Sequence, residues 1–264
     1  MEQSELLFSF SSISIAVVLF IAIMSFNELS FRLGRVVQTS TDAEVKALTG
    51  SVQGSILGLL ALLLGFTFSM SMQRFDNRSM ALIDEANAIG TALLRVQLLP
   101  EGYQSQAKSL FNEYIKLRVQ ASKIPLDERK VRQEFDGKVA NIQNQLWEIA
   151  VLASKEDPRP VTSGAFAQAL NVAIDSQGKR NAILRSHVPE PILFLMFVVF
   201  VASIGIMGYS SGLTGKRITL PLTLVSFLIT LIVFIIIDLD RPKRGLITVN
   251  QSALYELIQF TRDE

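Results

Sequence analysis

Leu62, Phe66 and Met70 recur at spacings of four inside an uncharged apolar run, Gly54 to Met72. On a helix that spacing places all three on one face. Copies gathered around an axis would stack these side chains into apolar rings, and such a constriction gates ions by shedding water. The same stripe also suits a helix that faces lipid or packs against neighbours. Gly54, Gly58 and Gly65 on this stretch permit close approach of another helix. Past the run come Arg74 and Arg78, which either attract anions at a pore mouth or anchor at the interface and pair with Asp76. About two turns further, Asp84, Glu85 and Asn87 either line a vestibule favouring cations or belong to a solvated face with an Asn cap. Near the end of the chain, Asp238 and Asp240 make a candidate cation site if Gly245 turns the backbone back. A salt bridge to Arg241 or Lys243 is the alternative for that pair.

Other chemistry is scarce. The 264 residues contain no Cys and one His. Disulfides, thiolate nucleophiles and multi-histidine metal sites within one chain are therefore excluded. Gly205-Ile206-Met207-Gly208 lies in an apolar run and lacks the context of a phosphate loop. Asp84 and Glu85 are adjacent, so on a helix they do not face each other. No enzymatic activity, cofactor or metal is expected. A net charge of +1 gives no pull towards nucleic acid. Trp147 and His187 are assigned to the core and to a segment boundary.

The elements that must position these residues are helices. The chain is 49% hydrophobic and 19% charged, with mean hydropathy +0.37, which predicts one part in lipid and one in water. Four apolar runs read as spans: Leu6–Phe26, Gly54–Met72, Pro191–Gly212 and Ile218–Ile237. Each is long enough for a bilayer core of ~30 Å at ~1.5 Å per residue. The first run is preceded by Met1-Glu2-Gln3-Ser4-Glu5, without a basic start, so it reads as a span and not as a signal peptide.

The second run turns polar at Gln73-Arg74-Phe75-Asp76 without a break. One unbroken helix from about Ser55 to Leu98 is predicted, stopped by Pro100. Between the second and third spans, four apolar stripes at spacings of three and four mark amphipathic helices. They are Phe75–Val96, Ala107–Ala121, Val131–Ala153 and Phe166–Leu184, separated by Pro100, Pro125 and the pair Pro158/Pro160. The predicted fold is all-α: four transmembrane helices with a four-helix soluble bundle inserted between the second and third. The expected segments are 1–72 with the first two spans, 73–188 with the bundle, and 189–264 with the last two spans and a short apolar-periodic tail (Leu254, Leu257, Ile258). Both termini and the bundle then share one membrane face. Basic residues near span ends are more numerous there, which favours a cytoplasmic bundle in a multi-pass protein of the inner membrane.

The stretch LLGFTFSMSMQRFDNR, with DEANAIGTALLR, LLP and DLDRPKRGLI, resembles a bacterial family of bestrophin-like membrane proteins, and this resemblance covers most of the chain. Its motif positions include Gly65, Arg74, Phe75, Glu85 and Asn87. More distantly, Gly65-Phe66 followed by Arg74-Phe75 resembles the second membrane helix of the bestrophin anion channels. Phe75 stands where those channels have Trp, and their calcium-binding acidic run is reduced here to Asp238 and Asp240. The resemblance implies a homo-oligomeric ion channel, for anions, with the neck at Leu62 and Phe66. The expected partners are the lipid bilayer, further copies of the chain and small inorganic ions. The competing expectation is a membrane-anchored interaction or sensor protein whose bundle is the working part.

Overall fold

The computed structural model describes residues 10–124, 128–217, 219–241 and 245–263. The first nine residues of the chain, Pro125, Ile218 and the Pro242-Lys243-Arg244 stretch lie outside them. The described residues form eight helices: α1 (Ser12–Val36), α2 (Ala43–Arg95), α3 (Glu101–Lys123), α4 (Arg129–Glu156), α5 (Ser163–Leu184), α6 (Glu190–Thr214), α7 (Thr219–Leu239) and α8 (Ser252–Asp263). Four helices are long and apolar enough to cross a membrane: α1, the helix containing α2, α6 and α7. The chain separates into two compact units, and α2 contributes to both.

The first unit holds α1, α2 up to Arg74, α6, α7 and the turn Gly245–Ile247. Its core is built from Ile23, Met196, Phe200, Ile204, Val233 and Ile236, all at or near zero exposure. Helices α1 and α6 lie side by side in parallel, and glycine makes this possible. A side chain at Gly34 would collide with the Tyr209 carbonyl, at Gly208 with Asn27, and at Gly212 with the Phe31 carbonyl. The Gly205–Gly208 pair of the sequence is thus a helix-packing surface, Gly208 against the Asn27 backbone and Gly205 against the Phe26 ring and the Ser30 hydroxyl, as small residues are in membrane helices. Helix α1 begins later than its apolar run and extends past Phe26 to Val36. Its last turns carry Glu28, which accepts from Arg32 and from Arg217 at 2.8 Å. At the end of α6, Gly215 adopts φ 72°, a left-handed conformation that favours glycine. Its carbonyl accepts a 2.8 Å bond from Arg35.

The second unit holds α2 from Phe75, then α3, α4, α5 and α8. Leu82, Ile89, Phe111, Ile115, Leu146, Phe166 and Leu170 form one core. The rings of Phe111 and Phe166 meet edge to face at 6.3 Å, the arrangement their quadrupoles favour. Helix α2 tightens into a 3-10 turn at Val96–Leu98 before Pro100, and α3 starts at once. Between α4 and α5, Arg159 grips Asp157 with bonds of 2.7 and 2.9 Å. Those bonds hold the Asp157 carboxyl well below the usual carboxylate range. The chain from Thr248 onward packs into this unit. Val249 and Leu254 are buried in its core, and Leu257 lies over Gly90. The expected segment 189–264 is therefore shared between the units: its membrane helices lie in one and its short apolar tail fills the other.

Candidate functional site

Helix α2 is 53 residues long, about 80 Å at ~1.5 Å per residue. It has two unlike faces. In its membrane half, Leu60, Thr67 and Ser71 are buried, and Leu57, Leu64 and Met70 pack partly against the first unit's core. On the other side Leu59, Leu62, Phe66 and Ser69 are exposed. Phe66 is 65% and Leu62 56% exposed, large values for such side chains. Gly54, Gly58 and Gly65 look into open space, where a side chain's first carbon would meet nothing within 4 Å.

Met70 does not share the exposed face with Leu62 and Phe66. Each step of four overshoots a 3.6-residue turn, so a third residue at the same spacing drifts off the face. Steps that alternate three and four stay on it, and Ser69 takes the place expected of Met70. The alternation runs further in both directions. Val45, Leu48, Val52 and Ser55 precede Leu59; Gln73, Asp76, Met80, Ile83 and Asn87 follow Ser69, and all are exposed. This is a 3.5-residue repeat, the period by which helices associate lengthwise. The long helix therefore carries a seam that its own chain leaves uncovered.

The polar motif residues divide between seam and interior. Arg74 and Phe75 are half-buried, and Phe75 packs against the second unit's core. Arg78 is buried and donates from Nη2 to the Ser186 carbonyl at 2.7 Å. Asn87 lies on the seam, whereas Asp84 is exposed beside it and pairs with Lys179 at 3.4 Å. Glu85 is buried at 0% exposure. One carboxylate oxygen accepts from Arg118 Nε at 2.5 Å and the other from Arg180 Nη1 at 2.6 Å. Arg180 also donates to Gln251 at 3.0 Å. Burial pulls the Arg118 guanidinium down, but the Glu85 carboxylate more than offsets this and leaves it raised. Burial likewise pushes the neighbouring Tyr114 hydroxyl up to about 12. Glu85 thus ties α2, α3 and α5 together and faces no vestibule.

Arg118 and Arg180 escaped the sequence reading. The available signal was an Arg inside the α3 stripe, one turn after Tyr114 and flanked by Leu117 and Ala121. A charge on an apolar face requires a buried partner.

Asp238 and Asp240 are both buried, at the end of α7. Asp238 Oδ2 accepts from the Ile247 amide at 2.8 Å, and Asp240 Oδ2 from the Val188 amide at 2.8 Å. His187 Nδ1 lies 3.6 Å from Asp240 Oδ2 and 3.2 Å from its carbonyl. A side chain on Gly245 would run into the Asp238 carboxylate, so the turn back that the sequence required of Gly245 is present. Asp238 meets the Ile247 amide across that turn, Asp240 holds the Val188 amide ahead of α6, and no group of three His, Cys, Asp or Glu suited to a metal occurs among the described residues.

The family model for the bestrophin-like domain matches residues 9–254. No curated protein matches the chain. Among solved structures, two crystal structures of a bacterial bestrophin homolog from Klebsiella pneumoniae, each a single-substitution mutant, are similar. The first has a TM-score of 0.61 at 15% identity, covering 92% of this chain and 97% of that one. The second has a TM-score of 0.59 at 14% identity, covering 96% and 97%. At these identities the likeness is one of fold.

Proposed function

We propose that this chain, which belongs to the family of bestrophin-like domain proteins, is the subunit of a homo-oligomeric ion channel in the cell membrane. Copies of α2 surround an axis and meet along the exposed seam. Leu62 and Phe66 form the apolar constriction, with Ser69 as the small polar position next to it. The observation that carries this reading is the uncovered 3.5-residue repeat along α2. A monomer in lipid would need no such period, and none on the half of the helix beyond the apolar run. Dewetting at rings of Leu62 and Phe66 would close the pore, and movement of α2 would open it. The bundle and termini are assigned to the cytoplasmic face from the basic residues near span ends.

Because the chain has no Cys, disulfide mapping has no background. Ile83→Cys, on the seam, is expected to give linked dimers on mild oxidation in membranes. Val172, on α5, is at least as exposed as Ile83 but off the seam, and Val172→Cys is expected to remain monomeric. Equal cross-linking of the two, or none at Ile83→Cys, overturns the arrangement. Linked seams without current in a bilayer would transfer the assignment to the anchored interaction protein.

A further inference from the structure

The first unit carries a groove apart from the seam. It runs between α1 and α6 and holds about 620 Å³. Phe26 and Leu33 form one wall, Val198 and Tyr209 the other. Gly205 and Ser30, both buried, meet between them. From Val198 to Tyr209 the groove extends about 17 Å along α6 at ~1.5 Å per residue. That is about half of a ~30 Å bilayer core. The groove therefore covers one leaflet, ending towards the membrane surface at which α1 and α6 stop. Its lining is apolar except for the Tyr209 ring and Ser30. Ser30 is 8% exposed, and its hydroxyl has no hydrogen-bond partner among the described residues.

At that surface the chain is basic. Glu28 answers two of the cations there, Arg32 and Arg217. Arg35 donates to the uncharged Gly215 carbonyl at 2.8 Å. Lys216, the next residue, is exposed and makes no ion pair among the described residues. Asp42 and Glu44, leading into α2, pair with none of these cations. Arg35 and Lys216 are thus two neighbouring cations without a counter-charge, at the open end of an apolar groove.

We infer that this groove binds an anionic phospholipid, with one acyl chain between α1 and α6 and the phosphate on Arg35 and Lys216. The Ser30 hydroxyl, about one and a half turns deeper along α1, then donates to a glycerol ester carbonyl. Cations confined to the interfacial end of an apolar groove match a lipid's own division into headgroup and chain. A second apolar helix would fill the groove but leave both cations unmatched. The inference needs only that α1 and α6 span a membrane, and it stands apart from the channel reading.

The test is native mass spectrometry of the purified, delipidated protein titrated with dioleoyl lipids. Wild type is expected to bind one phosphatidylglycerol per chain about fivefold or more tightly than phosphatidylcholine. Lys216→Gln should lower that preference about fivefold, and Lys155→Gln, on α4, should leave it unchanged. Ala202 is exposed and lines the groove, so Ala202→Trp fills it and should weaken both lipids together. Leu224→Trp, exposed on α7 and outside the groove, should bind like wild type. Equal binding of the two lipids by wild type overturns the inference, as does wild-type binding by either Lys216→Gln or Ala202→Trp. Ala202→Cys linking copies on oxidation in membranes more readily than Leu224→Cys would give the groove to a second copy of the chain and overturn it too.

Discussion

Glu85 and Arg118 stand 33 positions apart in the chain and meet at 2.5 Å, with side-chain exposures of 0% and 5%. Two ions so deeply buried stabilise the fold only while both are present. Removing one leaves a charge with neither water nor counterion. Glu85→Ala strands two guanidiniums at once and is expected to cost about 3–5 kcal/mol. Thermal unfolding of the protein in detergent measures this. A Glu85→Ala melt within a degree of wild type would mean that the interior admits water and the pair is not truly desolvated.

Tyr114 supplies a pH-dependent counterpart. Its hydroxyl is pushed up to about 12 by burial, above the ordinary tyrosine value near 10. A group whose folded pKa is raised contributes stability that is fully present below the unfolded pKa, and loses it as pH rises through the folded one. Tyr114 should therefore stabilise the fold below about pH 10 by on the order of 3 kcal/mol, a contribution lost between about pH 10 and 12. Ultraviolet titration of tyrosinate follows the event. Tyr114→Phe should remove the last-ionising component from the wild-type curve and leave the earlier ones in place. If that component persists in the variant, Tyr114 is not its source.

How much of this was legible in the sequence depends on the distance over which each feature is encoded. Hydropathy and helical period are local, so the spans, the unbroken passage of α2 through Gln73-Arg74-Phe75 and the bundle stripes could be read directly. The partners of Glu85 could not, because Arg118 and Arg180 lie 33 and 95 positions away and no local rule pairs them. The membership of α8 was equally hidden: Leu254 and Leu257 announce an apolar face but not what covers it. The face of α2 was half legible. Leu62 and Phe66 fall on the exposed side, whereas a uniform spacing of four points to Met70, and only the alternating repeat reaches Ser69.

Continuity of α2 yields a direct prediction. Asn77 is exposed and interior to an unbroken helix. Proline there removes a backbone bond and clashes with the carbonyl one turn back, at a cost of about 3 kcal/mol or more. Asn77→Ala, which keeps the helix, should melt like wild type. Circular dichroism melts of the pair separate backbone from side-chain effects, and equal melting of both variants would argue against a continuous helix at that point.

The α1–α6 contact rests on glycine and is predicted to be intolerant of bulk. Gly208→Leu drives a side chain into Asn27, whereas a methyl group at Gly102, on α3, would meet nothing within 4 Å. Overpacking of this kind costs about 1–3 kcal/mol and sometimes more. Gly208→Leu should lower the melting temperature in detergent or abolish membrane accumulation, and Gly102→Ala should do neither. A Gly208→Leu protein as stable as wild type would show that α1 and α6 separate freely.

Phe66 gives the sharpest functional prediction. It is the largest side chain on the membrane half of the seam and 65% exposed in the single chain. It makes few packing contacts of its own there, so its substitution should leave the fold largely untouched. Phe66→Ala removes a bulky group from every subunit of the ring at once, and Phe66→Ser also wets it, so both lower the barrier that dewetting imposes. Single-channel recordings should show a larger conductance or a higher open fraction, with Ser above Ala. Phe68 is also exposed, at 40%, but lies off the seam, and Phe68→Ser should record like wild type. If Phe68→Ser and Phe66→Ser change conductance equally, the axis lies on another face of α2. Unchanged conductance in Phe66→Ser moves the constriction away from this ring altogether.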